Sequence, residues 1–149
     1  MLNEFVELSQ ELLGIDQYYL WGTGRAAKYY DEVERFYGQA RVQSMINKYT
    51  AIRQAADFEQ RMYADLWSDE DSGPIVREIT LLWLTPNVWY SLHGQPQMPD
   101  PYAYGDGLLW PAVGSHPPGA KAPGYNSWTE KPKPLPIYAH SSGATPTTP

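Results

Sequence analysis

The stretch IVREITLLWL, Ile75–Leu84, decides the fold of this chain. Drawn as a helix, it presents apolar side chains on nearly every side, which is typical of a helix that is buried all round. An acidic turn precedes it, with Ser72 or Asp71 as the expected N-cap and Pro74 near the first helical position. Pro86 is expected to end it. The sequence therefore predicts that this helix is the buried centre of a helical bundle.

Three longer segments before it carry apolar residues at the three- and four-residue spacing of amphipathic helices. We predict helices over about residues 3–13, 25–37 and 41–66. Gly14 and Gly38 are expected to end the first two, and Gly14 is expected to do so in the left-handed conformation that glycine readily adopts. The residues predicted on the buried faces are Phe5, Leu8, Leu12, Ala26, Tyr29, Val33, Phe36, Val42, Met45, Tyr49, Ile52, Ala56, Tyr63 and Leu66.

The motif GTGRAA, residues 22–27, matches the glycine pattern of dinucleotide-binding loops. That function requires a preceding strand, and a second strand that ends in an acidic residue about 20 positions later. Here a short helical turn at 17–21, with Asp16 as its expected N-cap, precedes the motif, and a helical pattern follows it. The pattern favours a loop between helices.

The composition changes after residue 92, since 12 of the 14 prolines lie at or after Pro96. The proline ring disfavours the helical conformation of the residue that precedes it, because the two would clash. We therefore predict an all-α fold in which residues 1–92 form a small bundle of about four helices. A long irregular Pro/Gly-rich C-terminal arm is expected over 93–138, and a disordered tail over 139–149.

Two short stretches near this boundary are less regular. NVWYSL, residues 87–92, fits either a helical turn or a short strand. YAYGDGLLW, residues 102–110, has room for one helical turn within the arm.

Charge and composition exclude several classes of function. A net charge of −6, with no run among the 11 Lys and Arg residues, argues against binding to nucleic acid or to anionic membranes. The absence of cysteine excludes thiolate catalysis, cysteine zinc sites and cysteine-ligated iron–sulfur clusters. No apolar run reaches about 18 residues, so we predict no membrane span.

The histidines and the acidic cluster do not predict a metal site. His93, His116 and His140 are far apart and lack the spacing of metal ligands. His93 and His140 are interpreted as solvated loop residues. The cluster DEDSG, residues 69–73, lacks the ligand spacing of a calcium loop and is interpreted as a solvated helix entry.

The aromatic content exceeds what four short helices can bury. The chain has 6 Trp, 12 Tyr and 3 Phe, and neighbouring aromatic residues such as those at 89 and 90 are expected to face opposite sides of a helix. GLLWPAVGSHPPGAKAPGYNSWTEKPKP, residues 107–134, sets such side chains on a backbone stiffened by proline. A stiff segment loses little entropy when it docks. We therefore expect another protein to bury the apolar side chains of the arm.

Three stretches carry a resemblance to a known family. They are FVELSQELLG (5–14), LLWLTPNVWY (81–90) and YAYGDGLLWPAVGSHPPGAKAPGYNSWTEKP (102–132). They resemble the small, gamma-type subunit of bacterial FAD-dependent sugar and polyol dehydrogenase complexes, of the sorbitol, fructose, glucose or glycoside 3-dehydrogenase type. The third stretch is the most specific, with its Y-x-x-x-L-W element and its Pro/Gly-rich run that ends in W-x-x-K-P.

The resemblance implies a non-catalytic subunit. In that family a large subunit of the glucose-methanol-choline type carries the FAD, the catalytic histidine and the substrate pocket, and the small subunit stabilises it and assists its export. No catalytic, cofactor-binding or metal residue is therefore assigned to this chain. A haem subunit that takes the electrons is a further partner that the resemblance allows. The residues that match the tail pattern, and so are expected to contact the flavoprotein, are Leu109, Trp110, His116, Pro117, Pro118, Tyr125 and Trp128.

Location and substrate stay open at this point. The resemblance implies the periplasm, but no twin-arginine leader precedes Leu2 in this sequence, so the export route and a cytoplasmic location both remain open. One alternative is a free-standing carbohydrate-binding module with exposed Trp and Tyr, although its aromatic platforms usually need a rigid sheet. Another is a small enzyme that uses His116 with Asp106, which no sequence spacing supports.

Overall fold

A computed structural model describes residues 1–94, 103–119 and 130–140 of the chain. It confirms the predicted all-α fold, since helices account for most of these residues. Within the described ranges, the only β-type pairing is a single antiparallel bridge between Ile15 and Ile137.

The chain forms two compact units, which differ from the three predicted regions. The first unit comprises Met1–Arg77 and the chain from Ile137 onward, and the second is Glu78–Pro136. The predicted boundaries at 92 and 138 do not coincide with these units, because helical turns after residue 103 pack with the helix before them. The partner-docking role of the arm stays a prediction.

The first unit is organised around its N-terminal helix. Its elements are α1 (Leu2–Leu13), α2 (Gln17–Gly22), α3 (Ala26–Tyr37), α4 (Gln39–Ile52), α5 (Phe58–Arg61), the π-helix π1 (Met62–Trp67) and the start of α6 (Ser72–Leu84). α1 packs against α2, α3 and α4. It does so through Phe5, Val6 and Leu8, which are buried on one side of the helix.

The predicted ends of the first two helices are confirmed. Gly14 closes α1 in the left-handed conformation, with φ of 64°. Gly38 follows the last residue of α3 with φ of 86° and ψ of 137°. The Asp16 carboxylate caps α2 by accepting a hydrogen bond from the backbone N–H of Tyr18 at 2.8 Å. Gly22 is the last residue of α2 and Ala26 the first of α3, so GTGRAA spans a connection between helices, as its context predicted.

The single helix predicted over residues 41–66 is wrong. α4 ends at Ile52, and a turn separates it from α5 and π1. Arg53 in that turn pairs with Glu7 of α1 at 2.6 Å, and Phe58 enters the core with only 4% of its surface exposed. These tertiary contacts outweigh a local sequence of good helix formers.

The break also changes which side chains are buried. Tyr63, predicted on the buried stripe, is 69% exposed, whereas Leu66 is buried as predicted. After the break, Phe58 and Met62 face the core in place of Ala56 and Tyr63. Ala56 lies in the turn and is exposed as well. Phe36 was also predicted to be buried, but it is exposed. It lies at the edge of the buried stripe of α3, where the neighbouring Tyr37 is covered more than Phe36.

α6 buries one face and is not buried on all sides as predicted, since Arg77 is exposed and the residues at 78, 80, 81 and 84 are half-buried. Its cap also differs from the prediction. The Asp69 carboxylate, rather than Ser72 or Asp71, caps the helix by accepting a hydrogen bond from the backbone N–H of Ser72 at 2.8 Å. Lys48 of α4 donates to the same carboxylate at 2.7 Å and holds the pKa of Asp69 well below its usual range. The side chains that α6 buries are Ile75, Val76, Ile79, Leu82 and Trp83.

The second unit contains the rest of α6 together with α7 (Pro86–Leu92), α8 (Ala103–Asp106) and α9 (Leu109–Ala112). NVWYSL is therefore helical, and Trp89 and Tyr90 are both buried although their adjacency predicted that one would face outward. α8 packs against α7.

Gly107, between α8 and α9, provides a test of how this connection packs against the junction of α6 and α7. A Cβ at this position would lie 2.6 Å from the backbone oxygen of Leu84 and 3.2 Å from Cδ of Pro86. Gly107→Ala is therefore expected to lower the free energy of unfolding by about 1–3 kcal/mol, measured by urea denaturation. Gly22→Ala is the matched control, since nothing lies within 4 Å of a Cβ there. Equal effects of the two substitutions would contradict the packing described.

Candidate functional site

The described residues among the predicted partner contacts lie in one stretch, Leu109–Pro118, which we call the α9 segment. They are Leu109, Trp110, His116, Pro117 and Pro118. All except Pro118 are half-buried within their own unit, and Pro118 is exposed. Tyr125 and Trp128 lie outside the described residues.

The N-terminal end of the α9 segment is anchored to its own unit. The backbone N–H of Leu108 donates to the backbone oxygen of Trp83 in α6 at 3.1 Å, and the Leu108 side chain is buried. Trp110 donates its indole N–H to the backbone oxygen of Tyr104 at 2.9 Å, and the two rings meet edge-on with centroids 5.2 Å apart. The polar end of Trp110 is thus satisfied within the chain, and this contact fixes the orientation of α9.

The C-terminal end of the α9 segment is held by two further hydrogen bonds. The backbone N–H of Ser115 donates to the backbone oxygen of Trp110 at 2.9 Å. His116 places Nε2 at 3.0 Å from the backbone oxygen of Glu130, which joins the described stretches 103–119 and 130–136 of this unit. Val113 lies between the anchored N-terminal end of the segment and these hydrogen bonds, and 62% of its surface is exposed. The result is an apolar side chain presented on a backbone that is fixed on both sides.

His93 is not the solvated loop histidine that the sequence predicted. Its Nε2 lies 2.7 Å from a carboxylate oxygen of Glu78, and its side chain is largely buried. The ring also meets Trp89 edge-on, with centroids 4.6 Å apart. The reason is that α7 is a helix, which carries His93 at its C-terminal end back towards α6.

His140 is likewise packed rather than solvated, and it lies in what was predicted to be the disordered tail. Its ring stacks on Phe58 with centroids 4.0 Å apart and an interplanar angle of 12°. Its Nδ1 lies 3.1 Å from Oε1 of Glu11, which also accepts a hydrogen bond from the Tyr138 hydroxyl at 3.0 Å. A backbone hydrogen bond from Tyr138 to Gly14, at 2.8 Å, completes the attachment of residues 137–140 to the end of α1.

Sequence reasoning missed this cluster of Glu11, Tyr138 and His140. The one indication in the sequence was the alternation of Tyr138 and His140, because side chains two positions apart share a face in an extended segment. Nothing in the sequence identified Glu11 as their partner.

Burial of the Tyr138 hydroxyl, together with its hydrogen bond to Glu11, raises the pKa of this tyrosine to about 12. Both effects favour the neutral phenol, since the phenolate would lose its hydration and lie beside a carboxylate. The stability that this shift provides is therefore fully present below pH 10, the ordinary tyrosine value. It is lost as the pH rises towards 12.

Two classes of site are not found in the part of the chain that the structure describes. No three His, Asp or Glu side chains gather there in a way that could hold a metal ion. None of its helices is long and apolar enough to cross a membrane.

Comparison of this chain with family models, with curated proteins and with solved structures gave no match.

The attachment of residues 137–140 predicts a pH-dependent loss of stability. Between pH 10 and pH 12 the free energy of unfolding of the wild-type chain should fall more steeply than that of Tyr138→Phe, which has no hydroxyl to ionise. At pH 9 the same variant should be less stable by about 1–3 kcal/mol, because a hydrogen bond to a charged group is lost. Urea denaturation at each pH measures both effects.

Tyr18→Phe serves as the control, because Tyr18 is exposed on α2. It should follow the wild-type curve. If Tyr138→Phe followed that curve too, ionisation of Tyr138 would not be the source of the loss.

Proposed function

We propose that this chain is a non-catalytic small subunit that stabilises, and assists the export of, the FAD-containing large subunit of a sugar or polyol dehydrogenase. The α9 segment is the observation that carries the proposal. It falls in the stretch with the most specific resemblance to such subunits, and it offers apolar surface on a backbone held at both ends.

The geometry of the α9 segment suits protein binding. Trp110 and Leu108 fix its base, so that docking requires little additional ordering. Val113 and Pro118 are exposed and apolar, and neither has a charged neighbour within the segment. Exposed apolar side chains on a fixed backbone are suited to contact a partner, and the interface of a stable complex buries about 1,600 Å² in total.

The division of chemistry follows from the resemblance. FAD, the catalytic histidine and the sugar pocket belong to the large subunit, and this chain contributes no residue to the reaction. Its contribution is thermodynamic, because a partner that binds only the folded flavoprotein raises the stability of that fold. Passage of the folded pair into the periplasm and electron transfer to a haem subunit are further parts of the proposal.

Co-purification tests the proposal directly. A tagged copy of this chain, expressed in its native host, should capture a protein that absorbs near 450 nm. This absorbance should be lost when a sugar or polyol is added, because the substrate reduces the FAD. Capture of the chain alone, colourless and monomeric, would contradict the proposal. Titration of its tryptophan fluorescence with sugars would then test the carbohydrate-binding alternative.

Substitution of Val113 tests the role of the α9 segment. Val113→Asp should weaken capture of the flavoprotein by about tenfold or more, because a charge would be buried at the centre of the interface. Fold and stability should be unchanged, since Val113 is exposed in the chain alone. Val88→Asp makes the same change at an exposed valine of α7 and is the matched control. Equal capture by the two variants would exclude the α9 segment as the main contact.

A further inference from the structure

An open cleft of about 340 Å³ lies in the first compact unit, lined by α1, α5, π1 and residues 138 and 140. Its volume is within the range of small-molecule sites, roughly 300–1,000 Å³. The cleft belongs to a different unit from the α9 segment, so an inference about it does not depend on the proposed function.

Aromatic side chains form much of the lining. Phe58 is buried and stacked against His140, so it supplies a fixed inner surface. Tyr63 and Trp67 line the cleft and belong to π1. At the end of π1 the backbone N–H of Ser68 donates a hydrogen bond to the backbone oxygen of Tyr63, five residues earlier, at 2.9 Å. π-Helical turns are rare and occur frequently at functional sites. This one places two aromatic rings on the cleft, and Tyr63 is exposed enough to contact a ligand.

The charges in the cleft are unbalanced. Glu11 and Glu59 both line it, and among the described lining residues there is no Lys or Arg. Glu11 is 8% exposed and accepts hydrogen bonds from Tyr138 and His140. Glu59 is exposed, and within the described part of the chain its carboxylate has no hydrogen-bond or ion-pair partner. The field in the cleft therefore favours a positive ligand.

We propose that this cleft binds a small organic cation, an ammonium group on an apolar stem. The ammonium group pairs with the Glu59 carboxylate and lies over the face of Tyr63 or Trp67, where the ring quadrupole attracts it. The stem packs against Phe58 and Met62, which are buried. An anion would be repelled by both carboxylates, and a neutral ligand would gain the packing alone.

Benzylammonium and benzyl alcohol are suitable probes, because they share an apolar ring and differ in charge. Calorimetric titration of the full chain at low salt should give binding of benzylammonium about tenfold tighter than that of benzyl alcohol. Glu59→Gln should remove most of this difference, and Tyr63→Leu should weaken binding of benzylammonium about threefold. Both residues are exposed, so neither variant is expected to unfold the chain.

Glu70→Gln controls for the overall negative charge, since Glu70 is an exposed acid that does not line the cleft. It should bind benzylammonium as the wild type does. The proposal is overturned if no binding is seen at millimolar concentration, or if the two probes bind equally. It is also overturned if Glu70→Gln weakens binding as much as Glu59→Gln, because attraction would then come from net charge alone.

Discussion

Burial of α6 is the constraint on which both compact units depend. The side chains it buries are Ile75 and Val76 in the first unit and Ile79, Leu82 and Trp83 in the second. Each contributes about 1.5–3 kcal/mol when it is removed from water, so the helix is stable only where neighbours cover this face. The same helix positions α9, because the Trp83 carbonyl accepts the hydrogen bond from Leu108. Within the second unit, core packing and the presentation of the α9 segment thus depend on the same helix.

The elements that could be predicted are those whose determinants are local. α1 and α6 follow from apolar spacing, and the end of α1 follows from the conformational freedom of Gly14. The break after Ile52 could not be predicted, because no glycine or proline lies between residues 41 and 66. It depends on the contact of Arg53 with Glu7 and on burial of Phe58, both of which exist only in the folded chain.

The same distinction applies to the two surfaces. The α9 segment could be located from its sequence, because tryptophan and proline together in an irregular stretch are informative by themselves. The cleft could not, since Glu11 is separated by 127 residues from Tyr138 and by 129 from His140. Its aromatic lining also depends on π1, whereas the apolar spacing of that stretch predicted an ordinary α-helix that would have turned Tyr63 inward. The two proposed binding surfaces lie in different compact units.

The proposed stabilisation of a flavoprotein is tested most directly by heating the purified large subunit, alone and with an excess of this chain, while the fluorescence of released FAD is recorded. We expect FAD to be released at a higher temperature when the chain is present, and the shift to grow with its concentration. Release at the same temperature with and without the chain would contradict the proposed role.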